Sequence, residues 1–119
     1  MWDVEYTDEF EHWWNELDLD EQDSVAFVVE LLVNDGPMLP WPYSSAITTA
    51  KRYDLRELRI QHRGCPYRVL YAFDPRRSAV LILGGDKTGN DRWYDEYVPK
   101  AEKVFGDYLR QLRKEGLIP

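Results

Sequence analysis

"LRELRIQHRGCPYRVLYAFDPRR", residues 55–77, decides the fold. Leu58 to Gln61 alternates apolar with polar residues, and Tyr67 to Phe73 is an apolar stretch that Arg68 interrupts. These patterns predict two strands, Leu55 to Arg63 and Tyr67 to Phe73, and the short turn at Arg63-Gly64-Cys65-Pro66 makes them an antiparallel hairpin. Successive strand side chains point to opposite faces. Leu58 and Ile60 therefore share one face, with Val69, Tyr71 and Phe73 suited to the same core. Glu57, Arg59 and Gln61 point the other way, and so do Arg68, Leu70 and Ala72. Arg59 and Arg68 are thus expected on one sheet face, across neighbouring strands. Two cations placed there repel one another unless an anion joins them. That anion is either a carboxylate such as Glu57 or a bound phosphate, which the planar guanidinium grips at two points.

Outward from the hairpin, Ala79–Leu83 is apolar on both faces and predicts a central strand. It runs into "GGDKTGND", a glycine-rich turn that places Lys87 beside the arginine face. This is no phosphate-binding P-loop, because Asp86 stands where that motif needs glycine. Upstream, Trp2–Tyr6 alternates as a short strand. Asp8 is placed to cap a helix whose stripe is Phe10, Trp13, Trp14 and Leu17. Asp20 is placed to cap a second, with Val25, Val28, Val29 and Leu32, ended by Gly36-Pro37. The proline-rich stretch at 36–54 reads as a long loop. "DRWYDEY" predicts a short helical turn, and Pro99 opens a longer helix with a stripe of Ala101, Val104, Phe105, Tyr108, Leu109 and Leu112. The expected fold is α+β over a single domain, residues 1–119. It has a mainly antiparallel sheet, an N-terminal αα-hairpin and a C-terminal helix, in the order β-α-α-β-β-β-α.

The charges are segregated. Residues 1–50 hold twelve Asp or Glu and no Lys or Arg. Residues 51–77 hold eight Lys or Arg and three acids, and the rest carries seven of each sign. One surface is thereby reserved for an anion although the net charge is −7. The lone Cys65 makes no internal disulfide and has no neighbours at zinc-ligand spacing. No apolar run is long enough to span a membrane, and the first residues do not read as a secretory signal. A cytoplasmic protein is expected.

"LRELR", "YRVLYAFDPRR" and "AVLILGGDKTGNDRWYDEYVPKAEKVF", in that order, resemble the HigB-like, phage-derived branch of the RelE/ParE toxin superfamily. The resemblance spans most of the chain and agrees with the element order above. It implies a RelE-like fold and the toxin of a type II toxin–antitoxin pair: a ribosome-dependent endoribonuclease that cuts mRNA in the A site and stops translation. It implies no metal and no cofactor. By motif position the catalytic roles fall on Arg59, Arg68, Lys87 and Tyr94. Lys51, Arg52 and Trp93 would bind RNA, with Trp93 and Tyr94 placed to stack on a base. The implied partners are the ribosome, mRNA and a HigA-type helix-turn-helix antitoxin.

Such toxins are usually basic, and this chain has a pI of about 4.8. Two other readings therefore stay open: a ParE-like gyrase inhibitor, and a toxin fold that acts only as a regulatory binding partner. The acids of residues 8–34, Glu9, Glu11, Glu16, Asp18, Glu21 and Asp23, are expected to form one face that attracts a basic partner.

Overall fold

A computed structural model describes residues 1–119. The elements are β1 (Val4–Tyr6), α1 (Asp8–Glu16), α2 (Leu19–Asp35), β2 (Ser44–Ala46), β3 (Arg56–His62), β4 (Cys65–Phe73), β5 (Ala79–Asp86) and α3 (Trp93–Lys114). One turn of 3-10 helix, Gly36–Met38, follows α2. The five strands form one sheet in the order β1-β5-β4-β3-β2. Every pairing is antiparallel except β1 with β5. The α+β architecture expected from the sequence is the architecture found.

The hairpin turn is tighter than expected. Arg63 and Gly64 both take positive φ, 49° and 80°, and β4 already begins at Cys65. Positive φ at both central residues is the two-residue turn whose twist matches that of paired strands. The sheet has one strand more than the sequence suggested. β2 lies inside the proline-rich stretch read as loop, where three residues are too few to display a period. It is held by pairing with Arg56–Leu58 of β3.

The helix caps also differ from expectation. Thr7, not Asp8, caps α1 by accepting from the Phe10 amide at 3.0 Å. Its hydroxyl donates in turn to the Ile82 carbonyl at 2.7 Å. Asp18, not Asp20, caps α2 in a reciprocal capping box with Glu21. α3 is one continuous helix with Pro99 inside it, rather than a turn followed by a second helix. Asp95, whose carbonyl loses its partner at Pro99, is exposed to water, and burial of Trp93 holds the first turn down.

The sheet separates two cores. On one face α1 and α2 pack Phe10, Val25, Val28 and Leu32 against Leu58, Ile60, Val69, Tyr71 and Leu81. Trp13 and Trp14 pack at the margin of that core. Val25 and Leu32 are fully buried, each worth about 1.5–3 kcal/mol relative to exposure. On the other face α3 packs Val98, Ala101, Phe105 and Leu109 against Leu70, Ala72, Val80 and Ile82.

A bulge in β5 decides what lies beyond these cores. Leu70 pairs with Leu83 but Tyr71 pairs with Leu81, so Ile82 is an extra residue. The shift turns Gly84 toward α1 and Gly85 toward α3. A Cβ on Gly84 would overlap the Trp13 ring, and one on Gly85 would lie 2.8 Å from Trp93 Nε1. Gly84-Gly85, expected to start a loop, thus belongs to the strand. Each glycine gives up its side chain to a tryptophan on one face of the sheet.

Candidate functional site

Arg59 and Arg68 stand directly opposite each other on β3 and β4. They share the α3 face of the sheet, as the alternation predicted, and Glu57 joins them there. The Glu57 carboxylate gathers four side chains. Its Oε2 accepts from Arg59 at 3.1 Å and from the Ser45 hydroxyl at 2.6 Å. Its Oε1 accepts from the Tyr94 hydroxyl at 2.6 Å and lies 3.5 Å from Arg68 Nε. Glu57 and Arg68 are both 5% exposed. Arg68 also donates to the Tyr67 carbonyl at 2.9 Å, while its Nε has no hydrogen-bond partner. A buried arginine donor left unmatched beside a carboxylate is a costly arrangement.

The two arginines differ in access. The Arg59 side chain is 26% exposed, and its guanidinium lies over the Trp41 ring at 4.2 Å. Trp41 is itself exposed, so this cation faces solvent through an aromatic flap. An open cleft of about 700 Å³ reaches both arginines from the α2 side, walled by Asp23, Ser24 and Phe27 of α2 and by Tyr43, Gln61 and Pro66.

Tyr94 reaches Glu57 because Trp93 is anchored. Trp93 is 1% exposed and packs over Gly85, and its ring stacks on Tyr97 with centroids 4.5 Å apart. Burial and the hydrogen bond to Glu57 raise the Tyr94 pKa, so the phenol keeps its proton. Lys87 stands at the edge of the cluster, its Nζ 5.5 Å from the centre of the Tyr94 ring. Its amide bonds the Pro66 carbonyl at 3.0 Å, which ties the 87–90 turn to the start of β4.

The remaining expected site residues lie elsewhere. Trp93 offers no face to a base, because Gly85 and Tyr97 cover it. It positions Tyr94 instead. Lys51 and Arg52 are exposed, and their backbone is fixed by buried Glu102. The Glu102 Oε2 accepts from three successive amides, Lys51 at 3.1 Å, Arg52 at 2.5 Å and Tyr53 at 3.3 Å. Glu102 is eight residues along α3 from Tyr94, about 12 Å at 1.5 Å per residue. His62 faces α2, with Nδ1 2.7 Å from the Ser24 hydroxyl, and so lies on the sheet face opposite Glu57.

The residue the sequence undervalued is Glu57. Its parity with Arg59 was visible. Its contact with Tyr94, thirty-seven positions away, was not. No three His, Cys, Asp or Glu side chains converge as a metal-binding set. No helix is long and apolar enough to cross a membrane.

Two comparisons bear on this geometry. Residues 12–106 match the family described as "Phage derived protein Gp49-like (DUF891)". The chain is 40% identical over 100 residues to a Mycobacterium tuberculosis (strain ATCC 25618 / H37Rv) protein named "Putative toxin HigB3", covering 83% of this chain and 86% of that one. It is 34% identical over 101 residues to "Putative toxin HigB2" of the same organism, covering 83% of this chain but only 50% of that protein. The matched span contains Glu57, Arg59, Arg68, Lys87 and Tyr94. By family match and by identity along most of its length, the chain belongs to the phage-derived Gp49-like family and its HigB-like toxins.

Proposed function

We propose that this protein is the toxin of a toxin–antitoxin pair and that it cuts messenger RNA within the ribosome, without a metal. The observation that carries the reading is the cluster of Arg59, Arg68 and Tyr94 on one carboxylate, with Lys87 at its edge.

The chemistry fits that set. A ribose 2′-hydroxyl attacks the adjacent phosphorus, its proton leaves, and the P–O5′ bond breaks. Phosphate entering beside Arg59 and Arg68 competes with Glu57 for their donors. The carboxylate released from them accepts the 2′-hydroxyl proton. The guanidinium groups stabilise the charge that grows on the phosphoryl oxygens. The ammonium of Lys87 supplies a proton to the departing O5′, and the protonated Tyr94 hydroxyl donates a hydrogen bond to the phosphate. Lys51 and Arg52 hold the RNA backbone further along, as charge contacts without sequence preference.

A second reading has one observation in its favour. Arg68 is buried against Glu57, which is also how a structural ion pair looks. In that case the chain binds a partner and cuts nothing. Cleavage of an mRNA on purified ribosomes separates the two. Arg59→Ala and Lys87→Ala are the informative variants, since both side chains reach solvent. The expected outcome is mapped cuts with wild type and a loss of about a hundredfold with either variant. Growth arrest with intact mRNA would support the binding reading, and arrest with broken DNA would point to gyrase. A cognate antitoxin that suppresses arrest when co-expressed is expected under each.

A further inference from the structure

The acids expected to form one docking face differ in their local partners. Asp18 and Glu21 cap each other's backbone, and Glu21 also accepts from Tyr67. Glu16 lies by His12, while Asp23 lines the cleft beside Arg59. Glu11 has a different setting. It lies on the rim of an open groove of about 550 Å³ between β1, α1 and α2.

The groove is apolar inside. Val4 and Tyr6 form one wall, Phe10 and Trp14 a second, Val29 and Val33 the third. Tyr6 is 54% exposed, and Val4, Trp14, Val29 and Val33 are only partly covered. The volume lies within the roughly 300–1,000 Å³ typical of clefts that bury a ligand. Val4 and Tyr6 pair with Ala79 and Leu81, whose side chains belong to the α1–α2 core. The groove is therefore on the opposite sheet face from Glu57 and Arg68.

Its charge is of one sign. Glu11 and Glu30 stand on the rim, and no Lys or Arg lines it. Every lining residue except Leu81 comes from residues 1–50, which hold no Lys or Arg. Apolar walls select an apolar ligand, and the carboxylates select flanking cations. RNA and DNA are repelled. A second copy using the same groove would set Glu11 and Glu30 against themselves, because a two-fold interface pairs each patch with its twin.

We propose that this groove receives an amphipathic helix of a partner protein, with aliphatic side chains at i, i+3, i+4 and i+7 and Lys or Arg along both flanks. The apolar ridge fills the space between Tyr6, Trp14 and Val29, and the flanking cations meet Glu11 and Glu30. The surface is separate from the candidate catalytic cluster, so the inference stands whether or not the chain cuts RNA.

The test uses the whole chain and a synthetic helical peptide with Leu at those four positions and Lys elsewhere. Backbone amide shifts locate the peptide, and calorimetry measures its affinity. Shifts are expected at Val4, Tyr6, Trp14, Val29 and Val33. Glu11→Lys with Glu30→Lys should weaken binding by about tenfold or more. Glu96→Lys on α3 with Glu115→Lys just beyond its end changes the net charge equally, and should leave affinity within about threefold of wild type. All four positions are exposed, so each variant is expected to fold, as circular dichroism checks. Equal weakening by both pairs would reduce the effect to bulk charge and overturn the proposal. So would shifts outside the groove, equal binding of a peptide with Glu in place of Lys, or no binding. Concentration-dependent dimerisation lost on Tyr6→Ser would assign the groove to a second copy and overturn it as well.

Discussion

Arg68 lies buried with its Nε 3.5 Å from the Glu57 carboxylate, on the strand next to Glu57 and shifted along it so that Arg59, not Glu57, is its register partner. The diagonal contact lets one acid serve two arginines. It also couples the candidate chemistry to the stability of the fold.

Arg68→Ala leaves the Glu57 charge buried with one cation fewer. Removing one member of a buried pair costs about 3–5 kcal/mol. Urea unfolding should register a loss of that size. Arg59→Ala, at a partly exposed position, should cost under about 1 kcal/mol. Equal small losses at both positions would mean that Arg68 does not hold Glu57 in place.

Gly84→Ala should destabilise the protein by about 1–3 kcal/mol, since the added methyl enters the Trp13 ring and the packed core resists it. Trp13→Leu opens the space. The two changes together should cost less than the sum of the separate losses, by about 0.5 kcal/mol or more. Strict additivity in denaturant midpoints would rule out the clash.

Glu102→Gln keeps the shape but withdraws the charge that three successive amides share. Charge-assisted hydrogen bonds are roughly twice as strong as neutral ones. Amide hydrogen exchange at Lys51, Arg52 and Tyr53 should accelerate by about tenfold or more, while exchange across β4 stays near wild type. Unchanged protection at the three amides would contradict the anchoring role.

Three tyrosines titrate late. A hydrogen bond to Glu21 raises the Tyr67 pKa, while burial together with a bond to a carboxylate, Glu57 or Glu5, raises those of Tyr94 and Tyr108. Each proton is held more tightly in the folded state than at the ordinary value of 10.0. Their stabilising contribution is complete below about pH 10 and is lost as pH rises above it. Unfolding free energy should therefore fall with pH in that alkaline range, and Tyr67→Phe should make the fall shallower by up to about 1.4 kcal/mol per pH unit. Tyrosinate absorbance rising fully around pH 10, with no late component, would show that these phenols are not held.

The sequence by itself determined the α+β class, the hairpin, the two N-terminal helices and the shared face of Arg59 and Arg68. Each follows from local periodicity, because alternation in a strand and the i, i+3, i+4 stripe of a helix are geometric consequences of the backbone. The family was legible as well, in three stretches occurring in the right order. Tertiary structure alone decided the rest. β2 is too short to show a period, and Thr7 won the cap of α1 because its hydroxyl also reaches Ile82. Gly84 and Gly85 extend the strand by pairing with Val69 and Arg68, and the tryptophans packed over them from opposite faces leave no room for a side chain. Glu57 became the centre of the site through Tyr94 and Ser45, which approach it from α3 and β2. Contacts between distant segments depend on how the helices settle on the sheet, and local spacing carries no record of that.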